Sequence, residues 1–354
     1  MTAKKWILTY LLTTFIPLLC ISPLVPFVDP YMHYHKPFTE RFFYRLKSGM
    51  QRYVNNGITR NFDYDALITG TSMTENFKSS EFDELFGCRS IKVPFSGGSF
   101  FEINRNQEQA FKNHAVRYML RSLDAHRFRQ QIKYLPETAG NPAYLYNDSV
   151  LDDLNYLWNK DAVQYSFLML IYGLRGEHGI TEFDKYSNWM SGCIFGGKQV
   201  LKGRTEFRSP TKMKSLKDKG HKQITESIRQ NVIQLALEHP ECEFYYFFPP
   251  YSIVEWGEQY ESGTLERKLQ EEELVIQLIL QCDNIHLFSF NTKYEWILNL
   301  DNYKDNAHYG EWINSEMLLL MKADECRITK ENVAQYLQEE REFYMNFDYN
   351  SIFQ

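Results

Sequence analysis

From Trp6 to Val28 the chain runs for 23 residues without one Asp, Glu, Lys, Arg or His. A helix needs roughly 20 apolar residues to cross a bilayer core, so the length fits a membrane span. Lys4 and Lys5 stand just before the run, and positive charge on a short flank keeps that end in the cytoplasm. A cleaved signal peptide is the competing reading, but its apolar region runs about 7–15 residues and ends in a small-x-small site. Here the run is longer, and Ile21-Ser22-Pro23 is a poor cleavage site. Pro17, Pro23 and Pro26 are better tolerated in a membrane helix than in a soluble one. The expectation is a single-pass anchor over residues 1–28 with a cytoplasmic N-terminus. Everything after about residue 29 is then expected outside the cytoplasm.

The remainder reads as globular, with 44% hydrophobic and 24% charged residues in the whole chain and no long disordered tract. With Lys4 and Lys5 set aside, 37 basic residues face 45 acidic ones, a net charge near −8. That argues against nucleic acid as a partner, because phosphate binding is driven by basic surface. Aromatic residues reach 16%, which suits a Tyr/Phe-rich core or, alternatively, platforms on which sugars stack. Cys88, Cys193, Cys242, Cys282 and Cys326 follow the anchor, an odd number with no Cys-x-x-Cys pair. Neither a zinc site nor a disulfide framework is indicated. His33 and His35 alone do not make a metal site, and no cofactor is called for.

Residues 29–61 open with an aromatic, proline-bounded stretch suited to a membrane surface. Beyond it, short apolar runs alternate with helical periodicity. Ala66–Gly70, Ser90–Val93, Val116–Leu120, Glu243–Phe248 and Ile285–Phe290 read as strands. Helices are expected at about 80–86, 101–112 and 221–238, from near Thr264, and from about Glu311. Thr264 is well placed as a helix cap. This order implies an α/β fold, a parallel sheet with crossover helices, over residues 62–354. From about 125 to 215 the alternation lapses, and a mostly helical insertion is expected there.

Two places could do chemistry. Ser72 follows Gly70-Thr71 at the carboxyl end of the first strand, where open parallel sheets bind ligands. Helix-start N–H groups there could meet a developing oxyanion. The sequence is not the Gly-x-Ser-x-Gly elbow, because Thr74 occupies the last glycine position. Asp305-Asn306-Ala307-His308 offers an imidazole and a carboxylate three residues apart. A serine hydroxyl needs such a base and orienter to become a nucleophile. Asp301 is a rival orienter, though the spacing favours Asp305.

Serine in a first block and Asp-x-x-His in a last one resemble the SGNH/GDSL hydrolase superfamily over residues 62–322. Asp65-Ala66-Leu67-Ile68-Thr69-Gly70-Thr71-Ser72 matches the first block with Gly-Thr-Ser in place of Gly-Asp-Ser. Gly97 or Gly98 is similar to the second-block glycine. The third block departs from the pattern: Arg121-Ser122-Leu123-Asp124 has Asp124 near the position of the usual asparagine donor. The resemblance implies a three-layer SGNH, flavodoxin-like fold, with Ser72, Asp305 and His308 catalytic and the Ser72 and Gly97 N–H groups as oxyanion donors. Among superfamily members the chain looks most like membrane-anchored proteins of teichoic-acid D-alanylation and polysaccharide O-acetylation. These imply acetyl or D-alanyl transfer to a cell-surface glycopolymer, with a membrane-bound O-acyltransferase as partner. A carbohydrate esterase, or a silent scaffold that binds polymer, are the alternatives.

Overall fold

The computed structural model describes residues 2–38, 46, 48–136, 142–177 and 179–353. In chain order it forms α1 (Ala3–Ile21), α2 (Leu24–Val28), α3 (Gln51–Asn61), β1 (Ala66–Gly70), α4 (Ser79–Phe86), β2 (Ser90–Pro94), α5 (Phe100–Asn113) and β3 (Tyr118–Ser122). The helices α6 (Leu154–Leu157), α7 (Lys160–Arg175), α8 (Gly197–Leu201) and α9 (Asp218–Ile228) follow. A π-helical turn, Arg229–Ile233, joins α9 to α10 (Gln234–Glu238). The chain then runs through β4 (Glu243–Phe248), α11 (Ile253–Glu261), α12 (Leu265–Ile279), β5 (Ile285–Ser289), α13 (Tyr294–Ile297), α14 (Glu311–Lys322), β6 (Arg327–Ile328) and α15 (Val333–Asn346). The chain divides into two compact units: Met1–Asp63 with Glu137–Tyr186, and Tyr64–Pro136 with Ser187–Gln354. The helical insertion expected over 125–215 is thereby split, its middle in unit 1 and its two ends in unit 2.

Unit 1 is helical. Ala3–Val28 has a mean hydropathy of 2.1 in its best window, and is long and apolar enough to cross a membrane. Pro17 sits inside α1. Past α2 the chain turns on Asp29, whose buried carboxylate accepts the N–H groups of His33, Tyr34 and His35 and the Tyr156 hydroxyl. Those donors supply the hydrogen bonds that a buried carboxylate requires. His33 and His35 lie in this turn; the His33 ring bonds Asp153 at 3.0 Å and the His35 ring bonds the Pro26 and Lys36 carbonyls. Helix α3 crosses close by at Gly57, where a Cβ would lie 2.3 Å from the Tyr31 and Met32 carbonyl oxygens.

Unit 2 carries a six-stranded sheet in the order β2-β1-β3-β4-β5-β6. The first five strands are parallel and β6 is antiparallel to β5. β1 and β2 are buried along their whole length, β1 as the near-continuous apolar run expected of a strand covered on both faces and β2 with the polar Ser90 and Lys92 buried beside its apolar residues. Helix α4 packs with α14, α9 with α12, and α12 with α15. Two long cations run through the sheet and are fully buried. Lys92 donates to the Glu75 and Phe77 carbonyls, and Arg121 to Gln107 and the Asn231 carbonyl. Among the described residues Cys88, Cys193, Cys242, Cys282 and Cys326 are all free. Thr264 precedes α12 but does not cap it: its hydroxyl donates back to Gln259 Oε1 at 2.7 Å.

Candidate active site

The chain leaves β1 for β2 on one side and reaches β3 on the other, so the strand order reverses at β1. A crevice opens beyond the carboxyl ends of strands at such a reversal, and ligands bind there. Gly70 ends β1 at φ +140°, and a Cβ there would lie 2.5 Å from Ser122 Oγ and 2.8 Å from Thr74 Cγ2. Only glycine fits this bend, which turns the chain from the strand into a short 3₁₀ turn, Ser72–Thr74. Ser72 begins that turn and remains partly exposed.

The turn is tied to β3 by a buried carboxylate. Asp124 accepts from Thr71 Oγ1 at 2.8 Å, Ser122 Oγ at 2.9 Å and the Tyr251 hydroxyl at 3.0 Å. The Thr71 N–H in turn donates to Ser122 Oγ at 3.2 Å. Burial and the Asp124 charge push the Tyr251 hydroxyl far above its ordinary range, so it stays a donor. Asp124 therefore braces the residue before Ser72 from just beyond the end of β3. The sequence left its role open, because a carboxylate after a strand reads the same whether it faces ligand or hydroxyls.

Asp305 and His308 lie in a loop closed by a bridge between Tyr303 and Tyr309 and by the Gly310 N–H bond to the Asn302 carbonyl. Within it, Asp305 Oδ1 accepts the N–H groups of Ala307 and His308 at 2.9 and 2.8 Å. Its carboxylate also meets His308 Nδ1 at 2.9 Å. Burial alone would raise the Asp305 pKa. The His308 hydrogen bond and charge and the two backbone donors outweigh it and bring it down to about 2. His308 Nε2 stands 2.8 Å from Ser72 Oγ. The structure thus brings together Ser72, His308 and Asp305 in one chain of hydrogen bonds. Asp301 is exposed on the preceding 3₁₀ turn, its carboxylate toward Gly196.

Sequence reasoning missed the supports of this loop. The Asn306 side chain donates to Glu255 at 2.6 Å and Glu258 at 3.1 Å, while its carbonyl accepts from the Ser252 N–H and hydroxyl. Burial, reinforced by Glu258 and only partly opposed by the Gln259 donor, lifts the Glu255 carboxyl to about 7. The Tyr309 hydroxyl and the Asn314 amide both reach the Met73 carbonyl, at 3.4 and 3.3 Å, fastening the His308 loop to the Ser72 turn.

Gly97 sits after β2 at φ +63° and is exposed, with the Arg127 guanidinium nearby. The Gly98 N–H is taken by the Phe95 carbonyl at 2.7 Å, and a Cβ at Gly98 would strike Phe95. Gly98 thus serves the turn itself, and Gly97 keeps its N–H available. An aromatic face flanks the imidazole. Trp189 meets His308 edge-on at 5.7 Å, with Lys304 Nζ 3.3 Å above its ring, and Phe195 links Trp189 to the exposed Trp312.

No protein-family model and no curated protein matches the chain. Among solved structures it is similar to one from Streptococcus pneumonia, provisionally described as a platelet activating factor. That match has 9% identity and a TM-score of 0.37, covering 82% of this chain and 92% of the other.

Proposed function

We propose that this chain is a membrane-anchored, serine-dependent acyl-transfer enzyme of the SGNH type, acting outside the cytoplasm on a cell-surface glycopolymer. The observation that carries the chemistry is the relay from Ser72 Oγ through His308 to an Asp305 held ionised. His308 Nε2 takes the Ser72 proton as Oγ attacks the carbonyl carbon of an acyl donor. The tetrahedral oxyanion is met by the Ser72 and Gly97 N–H groups. Collapse of this intermediate breaks the bond to the leaving group, which departs with the proton from His308, and leaves acyl-Ser72. An acceptor hydroxyl then gives its proton to His308, attacks the acyl-enzyme and leaves as the ester, and the proton returns to Ser72. Asp305 fixes the imidazole tautomer and stabilises its charged form throughout.

The choice of polymer rests on the sequence resemblance and on the Trp189–Phe195–Trp312 face, because aromatic rings stack on sugar faces. An outward-facing Ser72 has no access to cytoplasmic acyl-coenzyme A. A membrane-bound O-acyltransferase that passes an acetyl or D-alanyl group across the bilayer would fill that gap. A serine-directed phosphonate should label Ser72 in the wild type and leave Ser72→Ala unlabelled. Incubating an acetylated sugar with and without an acceptor polymer separates transfer from hydrolysis. Unlabelled wild type, or full transfer by folded Ser72→Ala, would overturn the proposal.

A further inference from the structure

Within unit 1, helix α7 is apolar on two faces. Its inner face, Ala162, Ser166, Met169 and Gly173, is buried, and its small residues let α2 pack closely. The other face carries Phe167, Ile171 and Leu174 at i, i+4 and i+7, with Leu174 71% exposed. A helix lying on a water-soluble core puts polar residues on that stripe. Here residues 162–174 contain no charged side chain, and charges appear only at the ends, in Lys160, Asp161 and Arg175. The segment leading into α7 repeats the pattern, with Val150, Leu151, Leu154 and Trp158 all exposed and Leu151 at 80%. Among the described residues, 142–186 hold eight large exposed apolar side chains, whereas the far longer unit 2 holds six.

What covers this surface follows from where it begins. The Trp158 indole N–H donates to Ser22 Oγ at 2.8 Å, immediately after the last residue of α1. The apolar surface is therefore continuous with the end of a helix long and apolar enough to cross a bilayer. Tryptophan favours that level, where its ring enters the apolar region and its N–H finds a polar partner. A charge-free stretch of 13 residues is too short to cross a core needing roughly 20, so α7 cannot be a second span. It fits a helix lying in the interface.

We propose that the outward face of α6 and α7 is immersed in the lipid interface, making unit 1 a membrane-seated collar around the end of α1. This rests on reading α1 as membrane-inserted, and the test separates the two. The full-length protein is reconstituted in phosphatidylcholine–phosphatidylglycerol vesicles. An environment-sensitive fluorescent amino acid is placed singly at Phe167, at Leu174, at Leu11 in α1, and at Leu237 on the exposed surface of unit 2. Lipids brominated on the acyl chain should quench the Phe167 and Leu174 probes to within about twofold of Leu11, while aqueous iodide quenches them several-fold less than Leu237. If Phe167 and Leu174 follow Leu237 while Leu11 is lipid-quenched, the collar is refuted and the anchor stands. If Leu11 is also iodide-quenched, the anchor fails and takes the collar with it. Quenching of Phe167 and Leu174 by neither agent would mean that protein covers the face, which also overturns the proposal.

Discussion

Asp124→Ala should loosen the Ser72 turn and destabilise unit 2 by several kcal/mol. The carboxylate accepts three buried hydroxyls, from Thr71, Ser122 and Tyr251, at 2.8–3.0 Å. A hydrogen bond to a charged group contributes about 1.5–3 kcal/mol, and a buried donor left without its acceptor costs about 1–3 kcal/mol. The three are not additive, because removing the carboxylate also removes the penalty of burying its charge. The net loss expected is therefore about 3–5 kcal/mol. Asp124→Asn keeps one acceptor oxygen, and its amide can donate to Ser122 Oγ, so about 1–2 kcal/mol is expected. Thr71→Val removes one donor at similar cost. In a double-mutant cycle, Thr71 and Asp124 should couple by about 1–2 kcal/mol. Stability is read by urea titration in detergent, following tryptophan fluorescence, and the Ser72 turn is read by the rate of phosphonate labelling. If Asp124→Ala lost under about 1 kcal/mol and Ser72 labelled at the wild-type rate, the brace would be refuted.

Gly70→Ala should cost about 3 kcal/mol or more, since φ +140° and a 2.5 Å approach to Ser122 Oγ both oppose a Cβ; urea titration checks it. Glu255 binds its proton more tightly folded (about 7) than unfolded (4.5). The unfolded carboxyl ionises first, so stability should fall as pH rises from about 4.5 to 7, by up to about 3 kcal/mol. Melting temperatures across that range should show the fall, and Glu255→Gln should flatten it. Trp189→Ala should raise KM for a glycan acceptor about tenfold and leave kcat on a small aryl ester nearly unchanged, as loss of a stacking face rather than of the relay requires. Equal losses on both substrates would refute that role.

The strands that carry the site were largely legible in the sequence. β1 and β4 lie at the expected residues, and β2 and β5 differ by one residue at their carboxyl ends. β3 was expected at 116–120 and lies at 118–122. Arg121 reads as the end of an apolar run, yet its guanidinium is buried on Gln107 and Asn231. Such a charge can join a strand only when partners from elsewhere in the fold meet it, and no local pattern shows them. Helices α11 and α15 and the short antiparallel β6 went unread for a related reason. Their stability comes from packing, as Trp256 stacked on Tyr344 illustrates, rather than from their own periodicity. Ser72, Asp305 and His308 were readable because a strand end and a tight Asp-x-x-His loop are local. Their supports were not: Asn306 on Glu255, Asn314 on Met73 and Trp189 beside His308 are all joined across distant segments.

The fastening of the His308 loop to the Met73 carbonyl has a consequence in time. Ser72 and His308 are 236 positions apart, and four strands of the sheet are added to β1 between them. While the chain is being synthesised, the hydroxyl is present long before any base can reach it. The relay closes only when Tyr309 and Asn314 dock on the Met73 carbonyl, just past the carboxyl end of β1. Under the proposed function, a chain that ends before His308 should therefore lack the relay and fail to react with acyl donors, so that reactivity arrives only with the docked loop.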